Sequence, residues 1–545
     1  MMAKTYDFIV VGAGSAGAVL ANRLSADGRH QVLLLEAGAK DRNPLVRLPM
    51  LMGKLFHSGL YNWHYHTEAE PHLNGRKLYW PRGKVLGGTS TINGMIYVRG
   101  NRHDYDRWAQ LGLPEWSYDK VLPAFRRSES NPQRGDTAYH STKGEMTVCR
   151  ARSDNPLFDT FIEAGRQAGL AFNDDFNGES QDGVGRYDFT IRNGRRWSTA
   201  SAFLKPAARR PNLTILTGAH ATGLVWEGNR VTGVEWVRAG RPEKASAARE
   251  VIISGGTVNS PQLLMLSGIG PEAHLRDHGI TVRRNLPGVG QNVQDHVDCV
   301  MSWECRQPVT LYSDLRFDRL TLSMIQAMLF GTGVVTTFPY EGGAFLRTRE
   351  GLEAPDVQLH FMPALEKTAN LHFPNPFRRQ RVEANHGLTL RVGPVNPASR
   401  GAIALASADP FAAPSIRPNY LADDFDIRTM IDAIRKTRDI MSQAAFGPFK
   451  GMELAPGEAV DSDEDLTAWL RATAMTTFHP VGSCKMGPEG DPMAVVDGRL
   501  KVHGVDGLRI ADASIMPIIS SGNTNAPAIM IGERASDFIL EDART

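Results

Sequence analysis

Two stretches near the C-terminus carry residue types that could do chemistry. One reads Thr477-Phe478-His479-Pro480-Val481-Gly482-Ser483-Cys484-Lys485-Met486-Gly487, and the other Ser521-Gly522-Asn523-Thr524-Asn525-Ala526-Pro527. His479 is the candidate base, because an imidazole titrates near neutral pH. Pro480 biases the preceding residue toward extended backbone and so helps fix where the imidazole points. Taking hydride from an alcohol needs such a base for the hydroxyl proton. It also needs a group that holds the oxygen and an α-carbon set against a hydride acceptor in near-attack geometry.

The acceptor is announced at the other end of the chain. Tyr6-Asp7-Phe8-Ile9-Val10-Val11 is a short apolar run suited to a buried parallel strand. It leads into Gly12-Ala13-Gly14-Ser15-Ala16-Gly17, then a small, apolar segment to Leu24 with the character of a helix packed on a sheet. Gln31-Val32-Leu33-Leu34-Leu35 reads as the next strand, with Glu36 at its end. Strand, G-x-G-x-x-G, helix, second strand and acid together form a dinucleotide-binding fingerprint. Gly12 permits the tight turn, Gly14 lets backbone approach a pyrophosphate, and Gly17 permits close helix–strand contact. The helix N-terminus offers N–H groups to the phosphates, and Glu36 is the acceptor for the adenosine ribose hydroxyls. An acid at this position disfavours a 2′-phosphate but does not separate NAD from FAD.

Two further segments are crowded with small residues, as where a backbone passes very close to a ligand. They are Pro81-Arg82-Gly83-Lys84-Val85-Leu86-Gly87-Gly88-Thr89-Ser90-Thr91-Ile92-Asn93-Gly94-Met95 and the Gly255–Pro271 stretch after the strand Val251-Ile252-Ile253. With these motifs in this order, from residue 6 to about residue 540, the chain resembles the glucose–methanol–choline (GMC) oxidoreductases, and within them the choline-dehydrogenase-like alcohol dehydrogenases. The resemblance implies FAD. It implies cofactor contacts from Gly12, Gly14, Ser15, Ala16, Gly17, Glu36 and Ala37, and from Val85, Gly88, Asn93, Gly94 and Met95 beside the isoalloxazine and ribityl chain. It adds Ala221 near the adenine, Asp512 and Ala513 near the pyrophosphate and ribityl portion, Trp63 near the nucleotide, and Asn523 with Thr524. Some members attach FAD through a histidine in the Gly-Gly segment. Ile92 stands at that position, so non-covalent FAD is expected. The resemblance also makes His479 and Asn523 the catalytic pair, Asn523 donating its amide N–H to the substrate oxygen. Asn525 is a plausible N-cap and Pro527 suits the first turn of a final helix. That helix start would favour negative charge on the flavin. His296, in an Asp295-His296 pair similar to one in the family, is read as structural, and Cys484 as a packed small residue.

The remainder is read from composition and pattern. At 545 residues the chain exceeds one ordinary core. The resemblance implies an α/β FAD-binding, Rossmann-like domain (1–155, 201–310 and 466–545). Interleaved with it would be an α+β substrate domain (156–200 and 311–465) with an antiparallel sheet. Strands are expected at Val357–Phe361, Gly387–Val392 and Gly401–Leu405, and apolar residues recur at helical spacing from Leu320 to Phe330. The loops near Tyr340-Glu341 and Phe361-Met362-Pro363 should line the pocket, where Glu341 could meet a cationic alcohol such as choline or could equally be a structural acid. A net charge of +2, from Lys+Arg 61 against Asp+Glu 59, gives no case for nucleic acid. The basic cluster Arg378, Arg379 and Arg381 reads as a solvated face. Four cysteines (Cys149, Cys299, Cys305, Cys484) form neither a disulfide framework nor a metal set, so no metal is expected. No apolar run spans a membrane and no signal segment is evident, so the cytoplasm is the expected compartment.

The expected function is oxidation of a primary alcohol, neutral and aliphatic or aromatic, to its aldehyde. Electrons would pass to an external quinone-type acceptor. An oxidase that reduces O₂ to H₂O₂ is the near alternative, and a family lyase with a structural flavin a different class. A light-driven decarboxylase or a non-enzymatic FAD-binding protein would be remoter.

Overall fold

The computed structural model describes residues 4–57, 59–315, 317–366 and 386–544. Two seven-stranded sheets organise it. In the first, strands run in the order Leu213–Thr217, Val32–Glu36, Lys4–Val11, Arg241–Ile253, Arg230–Arg238, Ala219–Glu227, and Leu508–Ile510 pairs with Arg241–Ile253. Lys4–Val11 pairs in parallel with Val32–Glu36 and Arg241–Ile253, Val32–Glu36 with Leu213–Thr217, and Leu508–Ile510 with the end of Arg241–Ile253. Phe8 to Val10 and Val32 to Leu35 are buried without alternation, as befits strands covered on both faces. The helix Ser15–Leu24 packs on this sheet. Beside it runs the closing helix Asn525–Asp542, where a Cβ on Gly532 would meet the Ala16 carbonyl oxygen at 2.8 Å.

The second sheet is antiparallel, in the order Lys450–Ala455, Val297–Cys305, Gly387–Pro394, Val357–Met362, Gly342–Leu346, Gly183–Arg186. The helix Pro156–Gln167 covers its outer side, with Phe161 stacked on Phe361 at 4.7 Å. Val297–Cys305 belongs to this sheet, so the chain crosses into it well before the changeover expected at 310. The strand expected at Gly401–Leu405 lies elsewhere. Ala402–Ala404 pairs only with Ser415–Arg417 in a small hairpin, because Gly401 is held by Val293 through mutual backbone hydrogen bonds. The helix expected from Leu320 to Phe330 spans Phe317–Leu329. Arg378, Arg379 and Arg381 lie outside the described residues. No described helix is long and apolar enough to cross a membrane, and no described His, Cys, Asp and Glu residues cluster as a metal site. All four cysteines are buried and free.

Candidate active site

A cavity of about 600 Å³ runs from the fingerprint loop to the antiparallel sheet. Gly12, Gly14, Ser15, Ala16, Glu36, Ala37, Trp63, Gly88, Asn93, Gly94, Met95, Ala221, Asp512, Ala513, Asn523 and Thr524 all line it, as does His479. Val85 and Gly17 do not. Val85 is buried, bridged to Ala39, and Gly17 presses on the Gly12 carbonyl, so both shape the wall from behind.

At the nucleotide end the helix Ser15–Leu24 begins after Gly14 with no side chain capping it. Its first N–H groups are therefore open to the cavity, as an anion site requires. A Cβ on Gly14 would meet no protein atom, whereas one on Gly88 would meet Gly14 Cα at 2.7 Å. The two glycine segments thus touch each other and leave space only on the cavity side. Glu36 accepts hydrogen bonds from the N–H of Ala13 (3.0 Å) and Gly38 (2.8 Å). Burial pushes its carboxyl up to about 7. Asp512 accepts from Gly256 N–H (2.8 Å) and Ser260 Oγ (2.6 Å). Lys84 Nζ lies 4.1 Å over the Trp63 ring, a cation–π contact. The final helix starts differently from expectation. Thr524 is its N-cap, and Asn525 Oδ1 instead accepts from Ser15 Oγ at 2.7 Å, tying the two helix starts together.

At the other end His479 is fixed through its backbone as well as its ring. Asp295 accepts from His479 N–H (2.7 Å), Thr476 Oγ1 (2.6 Å) and Tyr420 Oη (2.5 Å). Phe478 sits at φ +66, an unusual conformation for a bulky residue, and its carbonyl accepts from Arg82 Nη2 at 2.6 Å. The imidazole Nδ1 is 3.0 Å from His296 Nδ1 and 3.0 Å from Thr477 Oγ1, and Nε2 is 3.1 Å from Asn523 Nδ2. Gln358 Nε2 donates to Asn523 Oδ1 at 3.2 Å, which turns the Asn523 amide nitrogen toward His479. Burial, then the neighbouring His296, His360 and Arg82, hold His479 well below the ordinary imidazole range. A neutral imidazole beside a neutral amide donor can take a hydroxyl proton and hold the oxygen that loses it.

The sequence profile of the N-terminal part of GMC oxidoreductases matches residues 6–298, and that of the C-terminal part residues 397–532. The chain is a GMC oxidoreductase. Like other GMC oxidoreductases it is an FAD-dependent enzyme acting on CH–OH groups, and the open helix start and paired glycine segments fit that cofactor. It is 46% identical over 535 residues to the oxygen-dependent choline dehydrogenase of Brucella canis, covering 98% of this chain and 95% of that one. The protein of the same name from Sinorhizobium fredii is 46% identical over 534 residues, with the same coverage. Among solved structures, a formate oxidase superposes with a TM-score of 0.91 at 29% identity, over 99% of each chain. Pyridoxine 4-oxidase from Mesorbium loti superposes with a TM-score of 0.86 at 31% identity, over 97% of this chain and 98% of that one.

Several residues around the site escaped sequence reasoning. Gln358 and His360 share one face of a strand with Met362, and Arg391 lies directly across from His360 on the next. His360, Arg391 and Glu366 line the cavity. The period-two alternation of Val357–Met362 was the available signal, but only strand register says which face is inward. His296, expected to be structural, touches the His479 ring. Tyr340 and Met362 line the cavity as expected, but Phe361 is buried against Phe161. Glu341 is turned away: it is 1% exposed and accepts from the N–H of Arg152 (3.3 Å) and Ser153 (2.8 Å). It is a structural acid that holds a loop, because those N–H groups and burial occupy it fully.

Proposed function

We propose that this enzyme oxidises a primary alcohol to the aldehyde, with His479 as the base and Asn523 holding the substrate oxygen. FAD, when bound, supplies the hydride acceptor. The hydroxyl proton goes to His479 Nε2, and Asn523 Nδ2, which has a second hydrogen to spare, donates to the oxygen as negative charge develops on it. The observation that carries this reading is the 3.1 Å contact between His479 Nε2 and Asn523 Nδ2 on the wall of the cavity that the fingerprint opens into. FAD is held without a covalent bond, Ile92 standing at the position where some family members attach it.

Electrons then pass to an external acceptor, quinone-type or O₂. The names of the relatives, oxygen-dependent choline dehydrogenases, and of the superposed oxidases support O₂ as a competent acceptor. The test is anaerobic mixing of the yellow holoenzyme with a panel of alcohols, followed by air. Loss of oxidised-flavin absorbance with one alcohol, and not with its aldehyde, supports the reading. Rapid return of colour in air assigns an oxidase, and return only with a quinone or dye assigns a dehydrogenase. Turnover without any flavin bleaching would overturn the reading in favour of a lyase.

A further inference from the structure

Arg196 is a cation buried behind the second glycine segment, 4% exposed. Its Nε donates to the Val46 carbonyl at 3.0 Å. Its Nη1 donates to the carbonyls of Ser90 (3.3 Å) and Asn93 (2.6 Å) and to Asn93 Oδ1 (2.9 Å). Nη2 is buried and has no hydrogen-bond partner. Other arginines buried as deeply are paired with acids: Arg99 Nη2 lies 2.9 Å from Glu129 Oε2, and Arg509 Nε 2.6 Å from Glu250 Oε2. Arg196 has carbonyl oxygens instead. Burial pushes it down to about 9 with no carboxylate acting against that, so it is still charged at neutral pH.

These contacts set one peptide of the cavity wall. Asn93 and Gly94 line the cavity, and Arg196 stands behind them. A peptide is planar and trans, so its C=O and N–H point in opposite directions. The Asn93 carbonyl is turned to Arg196, and the Gly94 N–H of the same peptide is therefore turned away from it. Among the described residues that N–H meets no acceptor. The next residue is tied to the same point: Met95, at φ +61, donates its N–H at 3.1 Å to the Asn93 Oδ1 that Arg196 also holds.

A buried charge without a counter-ion is costly. That cost falls when negative charge forms close by in the same low-dielectric surroundings. FAD, whose ring is expected beside Asn93, Gly94 and Met95, gains negative charge on reduction. We infer that Arg196 is a positioning residue that raises the reduction potential of the flavin: it turns the Gly94 N–H toward the ring and, from behind that peptide, supplies positive charge that favours the reduced form. The inference rests on the expected place of the ring. It goes beyond the alcohol-oxidising reading, because it assigns a role to a side chain that does not line the cavity.

The test is the flavin reduction potential of the holoenzyme, measured anaerobically against dyes of known potential in wild type, R196M and R196K. R196M removes the charge and keeps an unbranched side chain. Its equilibrium should move toward oxidised flavin by about tenfold or more, a fall of about 30 mV for a two-electron couple. R196K keeps the charge but not the planar fork, and should stay within about threefold of wild type. Flavin content and the affinity of the apoprotein for FAD are read alongside. A folded R196M at the wild-type potential overturns the inference, even if it binds FAD more weakly, because a structural prop or a counter-ion to the pyrophosphate would leave the potential unmoved. If R196M retains no flavin, R196K decides: a potential near wild type supports the inference, and a fall of about tenfold or more in the equilibrium overturns it. The potential is measured without an alcohol, so failure of every alcohol to bleach the flavin would defeat the alcohol-oxidising reading and leave this result standing.

Discussion

His296 and His479 meet ring nitrogen to ring nitrogen, Nδ1 to Nδ1 at 3.0 Å. One of the two must donate. His296 Nε2 lies 3.0 Å from the Val395 carbonyl oxygen, which can only accept, so the His296 proton is on Nε2. Burial pushes His296 down to about 4, so it is neutral at pH 7 and its Nδ1 is a bare acceptor. The His479 proton is therefore on Nδ1, shared with Thr477 Oγ1, which donates its own hydrogen to the His296 carbonyl at 3.1 Å. His479 Nε2 is left as a lone pair on the Asn523 side. The Gln358–Asn523 bond leads to the same tautomer independently, because it aims an amide N–H at Nε2.

Replacing His296 tests that chain. H296L removes the acceptor, and kcat should fall by roughly tenfold to a hundredfold, the usual effect of losing a partner that orients a histidine. KM and flavin content should change little. H296N keeps an oxygen near the Nδ1 position and should recover part of kcat. Stopped-flow flavin reduction measures this directly; equal kcat in both variants and wild type would remove His296 from the chemistry.

The acidity of His479 gives a pH prediction whose sign is fixed by burial. A base works when unprotonated, and His479 is held well below the ordinary imidazole value of 6.5. Lowering that value extends the active range toward acid. The acid limb of kcat/KM should thus lie below pH 6.5, with the rate level above it and falling about tenfold per unit below it. The profile of kcat/KM from pH 4 to 9 decides the matter. A limb centred above 6.5 would mean that His479 is solvated, or that another group is the base.

The role proposed for Asn523 is different: one hydrogen bond that would strengthen as charge develops. N523A should cost about 2.7–4 kcal/mol of transition-state stabilisation, or roughly a hundredfold to a thousandfold in kcat. The buried Gln358 amide would also lose one of its two acceptors, keeping Tyr187 Oη, so N523D offers a useful contrast. It keeps an oxygen for Gln358 but presents no N–H to the substrate, and should be as impaired as N523A while more stable to heat. Steady-state rates and thermal melts of both variants separate the two roles of this side chain.

The parts of the site that were legible in the sequence are those a single segment makes by itself. The Gly12–Gly17 turn, the strand before it and Glu36 after it form one local unit, so spacing alone identifies them. His479 and Asn523 lie within recognisable loops. The polar roof was not legible, because it exists only across strands: Arg391 meets His360 through the register of Gly387–Pro394 on Val357–Met362, and reaches Asp298 on a third strand. Reading Gly387–Val392 as a strand located Arg391 without saying which face it occupied. For Glu341 the sequence left a cavity role and a structural role open, and only the fold, which sets its carboxylate on the Arg152 and Ser153 N–H groups, decides for the structural one.

The glycine fingerprint permits a test that separates folding from cofactor binding. A Cβ at Gly17 would land on the Gly12 carbonyl oxygen, which is backbone and cannot swing aside. A Cβ at Gly14 meets no protein atom. G17A should therefore lower stability by about 1–3 kcal/mol through overpacking, with a reduced yield of folded protein. G14A should leave the apoprotein's fold and melting temperature near wild type, since Gly14 lies at φ −71, open to alanine. Its methyl group would instead stand in open space at the fingerprint turn, on the lining of the cavity, where the pyrophosphate of FAD is expected. Purified G14A should thus be folded but depleted in flavin, and should melt with little added stabilisation when FAD is supplied. Full flavin occupancy in G14A would place the pyrophosphate away from this turn, and with it the reading of the fingerprint.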